Sequence, residues 1–511
     1  MALAFPWLEA WPLAWVALVP LLVVTRGARL RVAAAYGWLT GLSFFLATLY
    51  WIPDTISNFT RISPLIAAGL WVLMSAVAAY SFALFAAVVE WLVARGGSRL
   101  VAAPLVWVVV EWMRTFVFAG FPWNSLGYSQ IEATVMVQVA DLTSVYGISA
   151  AIVLTNVAIA EAWLRRGRRA GNGAAASATK GAVYFLAIAA ASPSLLFVYG
   201  TLRLADLEAR PFQGALRVGV VQGNIAQDRK WDQAFQEEIL AKYLRLSRDA
   251  ADDGARLIVW PEAALPFYFR YDERSRALFE FARDRHVDLL VGAPGYQIGD
   301  DGKPQALNQA WMVTSEGDVQ GPYDKIQLVP FGEYIPLHGL FGMVAIAVES
   351  VGEFGRGSQY TLFETAALEP PLPQTVTVRR PARFGTLICY EGIFPALTRQ
   401  FAAAGADFLV NISNDAWYGD TAAPHQHLSM AALRTVENRM PMVRSTNSGI
   451  SAFITAEGRM GPTTSLFEDD IVVETILTRP TWSLYRTYGD VFVYLCLAAL
   501  ALLMLRRSRQ A

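Results

Sequence analysis

Thiol and imidazole groups are scarce in this chain: 511 residues contain two cysteines and four histidines. Cys389 lies in a polar stretch and Cys496 in an apolar one, so no disulfide framework is expected between them. No Cys/His spacing matches a metal site, and no metal ligands are expected. Charge is sparse as well. Only 17% of residues are charged, the net charge is −1, and no basic cluster interrupts the large polar block, which argues against a nucleic-acid partner. Internal repeats are absent, and the one low-complexity patch is the Gly/Ala/Ser-rich loop near 170–179. What the chain has in abundance is apolar sequence. A hydrophobic content of 54% and a mean hydropathy of +0.34 exceed what a soluble protein of this length carries, and imply an integral membrane protein with a soluble domain attached.

Apolar runs of membrane-spanning length, about 20 residues, occur near 8–25, 32–52, 63–94, 101–118, 136–164, 181–202 and 486–505. Six precede the polar block and one follows it. The first run has no basic n-region or small-residue cleavage site, so it does not read as a removable signal peptide. Basic residues in short loops favour the cytoplasm. The loops at 26–31, 95–99, 165–180 and 506–509 hold thirteen Arg and Lys, whereas the alternate loops hold only Arg61. That bias predicts that residues of about 203–485 lie on the non-cytoplasmic side, giving a transmembrane domain at 1–203, a soluble domain at 204–485, and a C-terminal membrane helix with a basic tail at 486–511.

The soluble block reads as α/β. Leu216–Gln222, Arg256–Trp260, Asp288–Gly292, Gln309–Thr314, Phe384–Cys389, Asp407–Ile412 and Val443–Asn447 have the look of buried strands. Trp231–Asp249, Ser275–Arg285 and Gln426–Arg439 show helical spacing between them. Three polar residues stand at ends of strand-like segments: Glu262, Lys325 and Cys389. An isolated buried cysteine normally packs as a small hydrophobe. Here a carboxylate to take the thiol proton and an ammonium to favour thiolate and stabilise an oxyanion make a coherent nucleophilic set.

The order Glu262-Lys325-Cys389 resembles the catalytic triad of the nitrilase superfamily. The flanking motifs Val221-Gln222-Gly223-Asn224-Ile225, Trp260-Pro261-Glu262, Leu328-Val329-Pro330-Phe331-Gly332-Glu333-Tyr334, Ile388-Cys389-Tyr390-Glu391 and Ser413-Asn414-Asp415-Ala416-Trp417 narrow the resemblance to the apolipoprotein N-acyltransferases. Gly120-Phe121-Pro122-Trp123 and Leu126-Gly127-Tyr128-Ser129-Gln130 carry it into the membrane part. The resemblance implies an αββα sandwich inserted before a C-terminal transmembrane helix. It implies a ping-pong acyl transfer from a phospholipid, usually phosphatidylethanolamine, through a cysteine thioester to the α-amine of a diacylglyceryl-cysteine lipoprotein. No metal or soluble cofactor is implied, and the expected setting is a monomer in the bacterial inner membrane with its catalytic domain in the periplasm. By matching positions, Glu262 would be the base, Lys325 the oxyanion stabiliser and Cys389 the nucleophile, with Glu333, Tyr390, Glu391 and Trp231 in support. A membrane-tethered amidase that releases the acyl group to water is the alternative. The family usually has eight transmembrane helices and a cytoplasmic N-terminus, whereas the charge pattern here places Met1 outside; either a first helix precedes this sequence or the start is irregular.

Two apolar stretches within the soluble block, Ala264–Tyr271 and Ile335–Val348, are expected to form mobile arms at the membrane surface that gate acyl-chain entry. Within the membrane, Glu111 and Arg114 share a helix face, where they could pair or line a polar cavity. Cys496 is expected only to pack.

Overall fold

Apolar sequence becomes helix over much of the first half of this protein, and proline breaks it in the first run although the helix Ala175–Ala209 carries Pro193 in its interior. The computed structural model describes residues 1–59, 62–117, 120–166, 175–299, 302–334, 354–367, 381–479 and 481–505. It divides into two units, one made of Met1–Ser57, Ser63–Leu207 and Tyr488–Ala511, the other of Asn58–Ile62 and Glu208–Thr487.

Among the described residues of the first unit, four helical stretches are long and apolar enough to cross a membrane: Leu30–Thr48, Pro64–Ala94, Val145–Arg166 and Lys180–Ala209. The expected first span does not form one helix. Pro12 and Pro20 each occupy a helix start, and the segment breaks into a 3₁₀ turn, Trp11–Trp15, and a short helix, Val19–Val24. The run at 63–94 is two helices, Pro64–Ala78 and Tyr80–Ala94, that meet at Ala79. The run at 136–164 opens with two single turns before Val145–Arg166, because Ser144 adopts φ +57° and ends the second turn. Glu111 and Arg114, on and just after the helix Arg99–Met113, both grip the loop that follows. Glu111 Oε1 accepts from the Leu126 amide at 2.6 Å, and Arg114 donates to the carbonyls of Phe121 and Trp123.

The second unit contains two six-stranded sheets. One has the order β12 (Asp470–Thr478), β1 (Gly214–Gln222), β2 (Leu257–Val259), β3 (Asp288–Ile298), β4 (Pro304–Val313), β5 (Val319–Asp324). The other runs β11 (Met460–Thr463), β10 (Ala452–Ile454), β9 (Met442–Thr446), β8 (Phe408–Ser413), β7 (Pro381–Ile388), β6 (Leu362–Ala367). In each, three central strands are parallel: β1, β2 and β3 in the first, and β7, β8 and β9 in the second. These six strands are nearly all buried, as parallel strands covered on both faces must be. Five strands that no pattern announced, β5, β6, β10, β11 and β12, add on antiparallel at the flanks. Several are partly exposed and polar, so apolar periodicity could not mark them; every residue of β11 is exposed.

Helices Gln236–Asp252 and Arg276–Arg285 cover the first sheet, burying Ile239, Tyr243, Leu246, Leu278 and Phe281 against Ile258, Leu289 and Val291. Pro395–Ala403 and Ala422–Asn438 accompany the second sheet. The sheets meet through their central strands, where the Ser445 hydroxyl on β9 donates to Val259 O at 3.0 Å. This is the expected α/β sandwich, and the first unit is the expected helical region. The stretch Ala264–Tyr271 is half core, with Leu265, Phe267 and Phe269 buried and Tyr268 and Tyr271 exposed. Its expected partner, 335–348, lies outside the described residues.

Candidate active site

The strand β2 ends at a corner that presents Glu262. Trp260 anchors it from below, fully buried, its indole N–H donating to Ser247 Oγ at 2.8 Å and its ring stacked on Tyr243 at 4.8 Å. Ala263 then turns with φ +47°. Gly292 on β3 passes so close that a Cβ there would stand 2.4 Å from Pro261 O and 2.8 Å from Glu262 Cα. Only glycine lets the two segments approach this closely. The Glu262 carboxylate is held at both oxygens: Oε1 accepts from Asn308 Nδ2 at 2.6 Å and from Lys325 Nζ at 3.2 Å, and Oε2 accepts from the Asn414 amide at 2.8 Å.

Lys325 follows β5, its amide continuing the ladder to Asn308 O at 2.9 Å. Its side chain is 1% exposed, and Nζ also donates to Glu333 Oε1 at 2.7 Å. The other Glu333 oxygen accepts from the Val329 amide at 2.9 Å. Burial alone would lower the Lys325 pKa, but Glu262 and Glu333 outweigh it and hold the ammonium well above its ordinary range. The group is therefore a fixed positive charge.

Cys389 terminates β7 with φ +52°, in the left-handed region that non-glycine residues rarely occupy. The chain then enters a 3₁₀ turn, Cys389–Ile393, so the thiol sits on a strained strand-to-helix corner. Burial pushes the thiol pKa up, the Glu262 charge pushes it further, and Lys325 pulls against both. The resting group is thus a thiol that must lose its proton as it reacts, and Glu262 is the carboxylate whose charge bears on it most, ahead of Asp415.

Two residues on, Glu391 is fully buried and saturated with donors. Its oxygens accept from the amides of Ile326, Gln327 and Ile388 and from Tyr323 Oη, at 2.7–3.0 Å. Burial nevertheless pushes its pKa up to about 7, against the pull of the backbone amides. Glu262, Lys325, Glu333, Cys389 and Glu391 thus converge. Tyr390 is buried edge-on against Phe394 at 5.1 Å. Trp231 is half exposed, and its chain neighbour Lys230 is the residue that turns inward.

Several members of the site were not among the expected site residues. Lys230 is 1% exposed with Nζ 3.1 Å from the Glu262 carbonyl, and burial lowers its pKa to about 8 while Glu262 partly opposes this. Asn308 ties Glu262 to Glu333, and only the packing of β4 brings it there. Behind Cys389, the buried side chains of Asp415, His427 and Arg444 form a further cluster, from the turn after β8, the helix Ala422–Asn438 and β9. Asp415 lies in the motif Ser413-Asn414-Asp415-Ala416-Trp417 and Arg444 in the expected strand Val443–Asn447, but nothing local marks His427. Among the described residues no group of three or more His, Cys, Asp or Glu is placed to hold a metal ion.

Residues 1–158 match the family model described as apolipoprotein N-acyltransferase N-terminal domain, and residues 217–485 that described as carbon-nitrogen hydrolase. The apolipoprotein N-acyltransferase of Geobacter metallireducens is 39% identical over 98% of this chain and 92% of its own length. That of Brucella melitensis is 33% identical over 88% of this chain and 81% of its own. Among solved structures, an amidase from Nesterenkonia sp. is similar at 18% identity and a TM-score of 0.38, over 56% of this chain and 97% of the amidase.

Proposed function

The chain belongs to the apolipoprotein N-acyltransferase family and is a membrane-bound N-acyltransferase of lipoproteins with a nitrilase-like catalytic fold; on that premise we propose that Cys389 is its nucleophile, Glu262 its general base and Lys325 its oxyanion donor. The observation that carries this assignment is the meeting of Lys325 Nζ and Glu262 Oε1 at 3.2 Å, in a buried site where both charges act on the Cys389 thiol.

The acyl donor is a phospholipid, phosphatidylethanolamine in this proposal, whose ester carbonyl the Cys389 sulfur attacks as Glu262 takes the thiol proton. Lys325 stabilises the tetrahedral oxyanion. The C–O bond then breaks, the lyso-phospholipid alkoxide recovers the proton from Glu262, and the acyl chain remains on sulfur. In the second half the α-amine of a diacylglyceryl-cysteine lipoprotein attacks the thioester. Glu262 takes a proton from nitrogen and returns it to the departing sulfur, leaving an amide and free enzyme. Glu333 holds Lys325 between two carboxylates, and Glu391 positions the cysteine corner. A single nucleophile imposes the ping-pong order, and burial of the thiol keeps water from the thioester. Similarity along nearly the whole chain to N-acyltransferases favours transfer over hydrolysis.

The proposal places the protein as a monomer in the bacterial inner membrane, with the catalytic domain at 204–485 facing the periplasm. It rests there on the bias of thirteen basic residues to one set of loops. Intact mass spectrometry after incubation with phosphatidylethanolamine tests the chemistry. A hydroxylamine-sensitive acyl adduct on the wild type and none on Cys389→Ala is expected, discharged by a diacylglyceryl peptide with formation of its amide. Release of free fatty acid with no amide would instead identify an amidase, and acylation of Cys389→Ala would refute the nucleophile.

A further inference from the structure

Behind the cysteine corner lies a buried polar cluster that none of these steps uses. His427, Asp415 and Arg444 expose at most 1% of their surface. His427 Nε2 stands 3.2 Å from Cys389 O, and its Nδ1 stands 3.1 Å from Arg444 Nη2 and 3.2 Å from Asp415 Oδ1. Arg444 Nη2 also donates to Asp415 Oδ2 at 2.7 Å, and Ser413 Oγ donates to Asp415 Oδ1 at 2.7 Å.

These partners fix a hydrogen on Nε2. A carbonyl can only accept, so the imidazole hydrogen facing Cys389 O belongs on Nε2. A guanidinium can only donate, so Nδ1 accepts from Arg444. Asp415 is already supplied at both oxygens, by Ser413 and Arg444. A hydrogen on Nε2 therefore satisfies the Cys389 contact, while at Nδ1 Arg444 and Asp415 compete; burial together with the Arg444 charge lowers the His427 pKa against the pull of Asp415. The arrangement fixes where the Cys389 carbonyl points. In a trans peptide the C=O and the following N–H face opposite ways. Drawing Cys389 O toward His427 thus turns the Tyr390 N–H away from it, at the first turn of the 3₁₀ segment that begins with the nucleophile.

Resting on the acyl-transfer reading above, we propose that His427 is a positioning residue that, through the Cys389 carbonyl, aims the Tyr390 N–H as a second donor to the oxyanion beside Lys325. Ser413, Asp415 and Arg444 hold its ring plane. His427 touches neither substrate nor sulfur in this role. Its effect is confined to steps that build an oxyanion.

The test compares acylation with alkylation of the same sulfur in the full-length protein. Thioester formation from phosphatidylethanolamine builds an oxyanion, whereas displacement by iodoacetamide shares the deprotonation and access of Cys389 but builds none. In His427→Leu, the single-turnover rate of thioester formation is expected to fall about 10- to 100-fold with KM unchanged. Alkylation of the Cys389 peptide, followed by mass spectrometry, is expected to stay within about twofold of wild type. His427→Gln, whose amide N–H reaches toward the Nε2 position, is expected to recover most of the acylation rate. Should His427→Leu fail to fold, His427→Asn against His427→Gln poses the same question, since Asn keeps a polar group beside Arg444 but falls short of Cys389 O. Equal slowing of acylation and alkylation would reduce His427 to a structural residue and overturn the proposal, as would unchanged acylation. Absence of any thioester on the wild type would refute the acyl-transfer reading itself, which the wild-type control reports separately.

Discussion

The Glu391 carboxylate holds the chain on either side of the reaction centre: it accepts from the Ile388 amide, next to Cys389, at 2.7 Å, and from the Ile326 amide, next to Lys325, at 2.7 Å. One side chain thereby sets the distance between nucleophile and ammonium across two separate sheets. Glu391→Gln replaces one acceptor oxygen by a donor and leaves a buried amide facing it. A loss of about 1–3 kcal/mol in stability is expected, with thioester formation slowed even at temperatures where the variant stays folded. Thermal unfolding in detergent beside single-turnover acylation checks both; wild-type behaviour in each would remove Glu391 from the positioning role.

Glu262→Gln retains the size of the side chain but cannot take the thiol proton. Thioester formation is expected to fall by about 10²- to 10⁴-fold, with phospholipid binding retained. Lys325→Met removes the oxyanion donor and leaves Glu262 and Glu333 facing each other without a cation, so it is expected to lose about 10²- to 10³-fold in rate and stability as well. The contrast between the two, measured by acyl-adduct kinetics and unfolding on the same samples, separates base from electrostatic support.

The left-handed backbone of Cys389, φ +52°, costs a residue with a Cβ about 1 kcal/mol or more relative to glycine. Two inactive variants should report it. Cys389→Gly is expected to be more stable than Cys389→Ala by about 1 kcal/mol, the reverse of the usual order for these residues. Equal or inverted stabilities would show that the corner is unstrained.

Gly292→Ala introduces a methyl 2.4 Å from Pro261 O without touching any charged group. The Glu262 corner must move to admit it. The expected outcome is a fall of about 10²-fold in the rate of thioester formation, as misplacement of a reacting group by about 1 Å produces, with Cys389 still present and alkylatable. Retention of full activity would show that the corner tolerates displacement.

Lys230 links pH to stability. Its pKa is lowered by burial to about 8, against about 10.4 for an ordinary lysine. Between those values the unfolded chain binds a proton that the folded chain does not, so stability gained from this group rises with pH across that window. Relative to Lys230→Met, the wild type is expected to gain up to about 3 kcal/mol between pH 8 and pH 10.5. Parallel melting curves in detergent across that range, showing no convergence, would contradict the burial of a strained ammonium.

Much of this protein was legible in one dimension because the responsible forces are local. Apolar runs of bilayer length marked the membrane region, period-two and continuous apolar runs marked the central strands, and Glu262, Lys325 and Cys389 stood at the ends of strand-like segments within motifs of known family order. Those residue types alone determined the chemistry the site can perform. What only tertiary structure decided is how groups far apart in the chain share one buried volume. The flanking strands β5, β6 and β10–β12 gain their pairing from neighbours already in place, and their own periodicity is too weak to announce them. Asn308 and His427 are ordinary polar residues in the sequence; they acquire roles because burial forbids an unpaired donor and the fold brings Glu262 and the Cys389 carbonyl to meet them. Proline decided the converse case, dividing the first apolar run into short turns where hydropathy alone had implied one continuous helix.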